Sequence, residues 1–269
     1  MNYRENVRLA MQSIKSNRLR TFLTALIIAI GISALVGILT TIDAIEKKMT
    51  DAFSSMGANS FTIRNRGTNI RIGGPGQRPK SYKPIRYEDA LKFKERLNAP
   101  ASVSISVFAS NGATVKYGQE KTNPNINIRG IDENGLAAQG LELGQGRNFN
   151  SAESLSGPNI CVIGSEIAKT LFKDSDPLDK VINAGNNRLR VIGVLASKGS
   201  GMGANVDRAV YVPLFKAKVI NANANPSYTI TVSVPNADLV DNVIGESTST
   251  FRSIRKTKID EANNFEITK

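Results

Sequence analysis

Twenty-two consecutive residues near the N-terminus, Thr21 to Ile42, carry no charge and no proline, with Arg20 and Asp43 as the bounds. As a helix at ~1.5 Å per residue the run is roughly 33 Å long. That matches the ~30 Å hydrocarbon core of a bilayer with slight tilt. Twelve of its positions are Leu, Ile, Val or Phe. Together they favour insertion by about 4–7 kcal/mol. A cleaved leader is a poorer reading, because the run exceeds an h-region of ~7–15 residues and no small-residue cleavage site follows. The run predicts a retained transmembrane helix over residues 21–42.

Flanking charge predicts its direction. Arg4, Arg8, Lys15, Arg18 and Arg20 precede the span against Glu5 alone. After it, Lys47 and Lys48 are balanced by Asp43, Glu46 and Asp51. The positive side stays in the cytoplasm, so everything after Asp43 lies outside. Residues 1–20 read as an amphipathic helix for the cytoplasmic interface, with Val7, Met11 and Ile14 on one side.

Two spacings concern partners. Ala25, Ala29, Ser33, Gly37 and Thr41 recur every four residues, a small-residue ridge that lets a second helix approach closely in lipid. Ile42, Ile45, Met49, Ala52 and Met56 recur at threes and fours, a coiled-coil-like seam over a stalk at 43–57.

Beyond Gly57, strands are predicted at Ser60–Arg64, Val103–Phe108, Ala113–Tyr117, Asn125–Arg129, Ile160–Ile163, Arg188–Leu195, Ala209–Val212 and Tyr228–Val234. Asn111-Gly112 predicts a hairpin turn between two of them. Helices are predicted at Arg86–Leu97, Glu166–Phe172, Pro213–Val219 and Leu239–Arg252. The order has no regular βαβ repeat, so the fold class is α+β.

The chain has no histidine, which removes Ser-His and Cys-His nucleophile systems and His-containing zinc sites. Its single cysteine, Cys161, lies in an apolar run and reads as a small buried hydrophobe. No Walker A spacing occurs. Gly199, Gly201 and Gly203 read as a flexible loop, and Asp174, Asp176 and Asp179, broken by Pro177, as a solvated turn. Ser165 lacks a nucleophile-elbow spacing. No catalytic, cofactor-binding or metal-ligating residue is therefore assigned.

The formal net charge is +12. Arg64, Arg66, Arg71, Arg78, Lys80, Lys83 and Arg86 occur with no acidic residue between Ala52 and Tyr87. Within this loop Arg71, Arg78, Lys80 and Lys83 are candidates for contact with an anionic partner.

Several segments together resemble the N-terminal half of MacB-type ABC transporter permeases. They are Glu5-Asn6-Val7-Arg8-Leu9-Ala10 with Lys15 to Thr24, Met56-Gly57-Ala58-Asn59-Ser60-Phe61-Thr62-Ile63, and Gly144-Gln145-Gly146-Arg147-Asn148-Phe149. Further on come Val162-Ile163-Gly164 through Asp176-Pro177-Leu178, Val191 to Leu195, and Val210-Tyr211-Val212-Pro213-Leu214. Asp179 stands where that family often has glycine.

The resemblance implies a two-lobed extracytoplasmic domain: a porter-like lobe from 58–128 and 226–269, and a sabre-like lobe from 129–225. It implies a permease of an exporter or mechanotransmitter in the bacterial cytoplasmic membrane. Its partners would be a cytoplasmic ABC ATPase holding ATP and Mg, a second permease copy and an extracytoplasmic adaptor, with no nucleic acid. Such permeases continue with three more spans, so the sequence up to Lys269 resembles a truncated one. The rival reading is a single-pass anchored binding or adaptor domain.

Overall fold

The computed structural model describes residues 17–55, 59–66, 82–173, 175–198, 204–221, 225–258 and 260–269, without the side chains of 46–55 and 204. The chain divides into two compact units, Met1–Ser54 and Ser55–Lys269.

The first unit is dominated by one helix, α1, spanning Arg18–Ser55. Its Arg18–Ile45 stretch is long and apolar enough to cross a membrane, and none of it is buried by the rest of the chain. Three threonine hydroxyls in the span are satisfied locally. Thr24 Oγ1 donates to Arg20 O at 3.0 Å, Thr40 Oγ1 to Val36 O at 2.9 Å, and Thr41 Oγ1 to Gly37 O at 2.7 Å. Lipid offers no such partners, so this back-bonding removes the cost of carrying hydroxyls there.

The second unit is built on strands β1 (Ser60–Asn65), β2 (Ser102–Ala113), β3 (Val115–Tyr117), β4 (Glu120–Lys121), β5 (Ile126–Ile131) and β6 (Leu143–Gly146). The remaining strands are β7 (Ile160–Ile163), β8 (Val181–Ala184), β9 (Asn187–Leu195), β10 (Ala209–Pro213), β11 (Thr229–Ser233) and β12 (Phe265–Thr268). They form one continuous sheet in the order β12-β1-β11-β2-β5-β10-β7-β9-β8-β3-β4, with β6 also paired to β9. The helices are α2 (Tyr87–Arg96), α3 (Gly135–Ala138), α4 (Ser151–Ser156), α5 (Ser165–Phe172), α6 (Ala204–Asp207), α7 (Leu214–Ile220) and α8 (Val240–Arg255).

Strand composition follows burial. β1 and β11 alternate buried and half-buried positions, as expected where one face meets a core. β7 and β10 are buried throughout, because their alternate residues enter two different cores. Cys161, Ile163, Val210 and Val212 belong to the larger core. Ile160, Val162, Ala209 and Tyr211 belong to a smaller one on the opposite face, with Leu136, Leu141 and Phe149. On the larger core, α2 and α8 meet through Phe93 and Phe251, whose rings stand edge-on at 5.6 Å. Gly130 lets α7 lie on β5: a β-carbon there would come within 2.1 Å of the Ala217 Cβ.

The α+β class is as the sequence predicts, and the eight predicted strands and four predicted longer helices all appear. The hairpin at Asn111-Gly112 does not. β2 runs through both residues to Ala113, with a register shift against β5 between Ser110 and Ala113. Gly112 takes φ +69° within that irregularity. β3 pairs instead with β8 and β4, and the turn falls at Gly118, φ +56°. Asn-Gly supplies the positive φ of a bulge as readily as that of a turn. Asp179 takes φ +57°, a backbone that glycine adopts without steric cost.

Candidate functional site

β1, the first strand after α1 in the chain, is a point of connection within the sheet: it lies between β11 and β12, in register Phe61↔Val232 and Ile63↔Ile267. Phe61 and Ile63 are fully buried. Displacing Ser60 would therefore shear two ladders of hydrogen bonds and a packed core. β12 runs antiparallel to β1, pairing Thr268 with Thr62 and Phe265 with Asn65. The entry at Ser60 and the segment's last residue, Lys269, thus lie at the same end of the β1–β12 pair.

A second connection is a charged cluster that the sequence reading missed. Lys94 on α2 reaches Asp132 Oδ2 at 2.6 Å and Glu133 Oε1 at 2.7 Å. Asp132 is 2% exposed. It accepts further bonds from Ser104 Oγ at 2.9 Å and Ile105 N at 3.1 Å. Asn148 Nδ2 donates to the Glu133 carbonyl at 2.8 Å. The cluster ties α2, β2, the exit of β5 and the entry to α4 at one point. Burial raises the Asp132 carboxyl above its usual range despite the attraction of Lys94. Burial also pushes Glu133 up, but the Lys94 hydrogen bond and a backbone bond outweigh it and leave Glu133 lowered. For Lys94, desolvation is outweighed by Asp132 and Glu133, so its ammonium is held protonated above the ordinary range.

The ridge residues Ala25, Ala29, Ser33, Gly37 and Thr41 all lie on α1 and are exposed, spaced as one i±4 ridge that winds slowly around the helix. A β-carbon on Gly37 would meet nothing within 4 Å. Of the seam, Ile42 and Ile45 are each 53% exposed. Met49 and Ala52 continue the helix, their side chains lying outside the described residues, as does Met56 altogether. Arg71, Arg78 and Lys80 also lie outside them. Lys83 is exposed, and its carbonyl accepts from Arg255 Nη2 at 2.6 Å.

The residues weighed for chemistry are placed as follows. Asp176 Oδ1 accepts from Leu178 N at 3.0 Å in a turn, and Asp179 lies 3.4 Å from Arg190 Nη1. Asp174 and Gly199 to Gly203 lie outside the described residues. Ser165 is buried at the start of α5. Cys161 is fully buried and burial pushes its thiol pKa up. Among the described residues no group of three or more His, Cys, Asp or Glu is placed to hold a metal.

Residues 21–249 match the family described as the MacB-like periplasmic core domain. A macrolide export ATP-binding/permease protein MacB of Chlorobaculum tepidum is 28% identical over 258 residues, 96% of this chain and 39% of that protein. The corresponding protein of Paracoccus denitrificans is 29% identical over 248 residues, 90% of this chain and 34% of its own. The chain thus spans well under half the length of these relatives. The crystal structure of the periplasmic region of MacB from Actinobacillus actinomycetemcomitans aligns with TM-score 0.61 at 20% identity, covering 82% of this chain and 93% of that one. The extracellular domain of the noncanonic ABC-type transporter YknZ from Gram-positive bacteria aligns at 0.58 and 22% identity, covering 78% and 100%. These two likenesses establish the fold.

Proposed function

Because the chain belongs to the family of MacB-like periplasmic core domains, we propose that it is the N-terminal portion of a permease that couples ATP hydrolysis by a separate cytoplasmic ATPase to motion of an extracytoplasmic domain. The observation that carries this reading is the extent of the match. It begins inside the apolar helix α1 at Thr21 and continues to Ser249 in α8. The helix and the outer domain are therefore matched together, as a device linking a membrane span to an outer sheet requires.

In this reading the N-terminus is cytoplasmic and the span lies in the bacterial inner membrane, as the flanking charges favour. The Ala25–Thr41 ridge packs on a neighbouring span, and the Ile42–Met56 seam packs on a second stalk or a second copy of the permease. A stalk that shifts between two packings is the bistable element such coupling needs. ATP and Mg belong to the partner ATPase. The lobes are 58–128 with 226–269, and 129–225; β5 crosses the boundary between them. The Arg71–Lys83 loop meets an anionic partner, with an extracytoplasmic adaptor as the candidate.

The test is copurification. The protein encoded by the complete gene, tagged and expressed together with the flanking genes, is extracted from membranes in mild detergent. Recovery of a Walker-type ATPase with the tagged protein is expected. Recovery of the protein without any ATPase, under conditions where both are made, would refute the assignment.

A further inference from the structure

A cleft of about 580 Å³ opens between α5, the β6–β9 pair and the turn that follows α5. That size suits a small molecule rather than a bare ion. Ala168, Pro177, Leu178, Val194 and Leu195 supply its apolar wall. The wall is held in place. Asp176 Oδ1 accepts from Leu178 N at 3.0 Å and fixes the turn. Gly146 lets that turn close on β6, since a β-carbon there would come within 2.8 Å of Leu178 Cδ2. Lys173, also on the lining, is committed to Glu120 at 2.7 Å.

Ser165 and Lys169, both on the lining, are uncommitted. Ser165 opens α5 and is only 8% exposed, yet among the described residues its hydroxyl has no hydrogen-bond partner. Lys169 lies four residues on, exposed and on the same helical face, and its ammonium makes no ion pair or hydrogen bond. Helical side chains lean toward the N-terminus, so that ammonium reaches back towards Ser165. The N-cap residue, Gly164, leaves the first amides of α5 without a side-chain cap. Such a helix start favours negative charge. The acid in its first turn, Glu166, is already neutralised by Arg208 at 2.7 Å. Asp176 is the one carboxylate among the described lining residues, and its Oδ1 is taken up by the turn. An anion is therefore favoured at the Ser165 and Lys169 end of the cleft, with apolar surface beside it.

We propose that this cleft binds a small monoanionic carboxylate with an apolar body, and that Ser165 and Lys169 form the site for its head. The Ser165 hydroxyl donates to the carboxylate, the Lys169 ammonium pairs with it, and the apolar body lies along Ala168, Leu178 and Leu195. The site does not rest on the coupling role.

The experiment is calorimetry on the full chain in zwitterionic nanodiscs, with empty nanodiscs subtracted. The probes are 3-phenylpropionate, acetate and 3-phenylpropylamine. The aromatic acid should bind saturably, acetate more weakly and the amine not at all. Lys169→Gln changes an exposed side chain and should leave the fold intact. It should weaken binding of the aromatic acid about ten- to hundredfold, and Ser165→Ala about two- to tenfold. Lys92→Gln removes the same charge from an exposed position outside the cleft and should bind as the parent does. No saturable binding by the parent, acetate or the amine binding as tightly as the aromatic acid, undiminished binding by Lys169→Gln or Ser165→Ala, or an equal loss in Lys92→Gln would each overturn the assignment.

Discussion

Lys94 Nζ lies 2.6 Å from Asp132 Oδ2 and thereby fastens α2 to the end of the central strand β5. Asp132 is buried while Lys94 is partly open to water. Removing the lysine strands a buried carboxylate, the costly way to break such a pair. Lys94→Met should lower unfolding stability by about 2–4 kcal/mol. Lys94→Met combined with Asp132→Asn should lose less than the single change, because the stranded charge is gone. Urea unfolding of both variants checks this; a double variant weaker than Lys94→Met would contradict it.

Glu153 closes a capping box on Asn150 at the start of α4, and Arg147 grips it at 2.7 and 2.8 Å. The Arg147 hydrogen bond lowers its pKa below the usual 4.5. A depressed folded-state pKa contributes stability above the unfolded value, and that contribution is lost as pH falls through the folded value. Glu153→Ala should therefore cost about 1 kcal/mol at pH 7, and the difference from the parent should vanish once both states are protonated, well below pH 4.5. Denaturation across pH 3–7 is the measurement; a difference that grows on acidification would contradict the sign.

Cysteine labelling of intact cells tests orientation. Ser156 is exposed on α4, whereas Cys161 is fully buried and should stay silent. A membrane-impermeant maleimide should modify Ser156→Cys and not Ser16→Cys. The reverse pattern would invert the topology.

The Arg71–Lys83 loop, if it meets an acidic partner, should do so in a salt-sensitive way. The Debye length falls from ~10 Å at 0.1 M to ~3 Å at 1 M. Binding of a polyglutamate peptide to the full chain in zwitterionic nanodiscs should be present at the lower salt and lost at the higher. Replacing Arg71, Arg78, Lys80 and Lys83 with Gln should abolish it. Binding that resists salt or survives those changes would dismiss the loop as the contact.

What could be read from sequence was whatever is encoded locally. An uncharged run declares α1, and the apolar stretches of β7, β9 and β10 declare strands, because burial on both faces removes any need for polar alternation. β6, β8 and β12 were missed: LGQG, VINA and FEIT are short, and long-range pairing makes them strands. The Lys94–Asp132 contact joins positions 38 apart, which no local spacing reveals. Ser165 and Lys169 are likewise two polar residues on a short helix until the fold sets Leu178 and Leu195 around the same cleft.

The coupling account is tested most directly by distances between two copies of the complete permease, measured with its ATPase. Spin labels are placed at Ile45 on the stalk in one preparation and at Ser156 in the outer domain in another. The account predicts that trapping ATP with vanadate shortens the Ile45–Ile45 distance by about 5 Å, one helical turn being the scale of such shifts, and also displaces the Ser156–Ser156 distribution. Unchanged distances at both sites, or a stalk that moves while Ser156 does not, would contradict it.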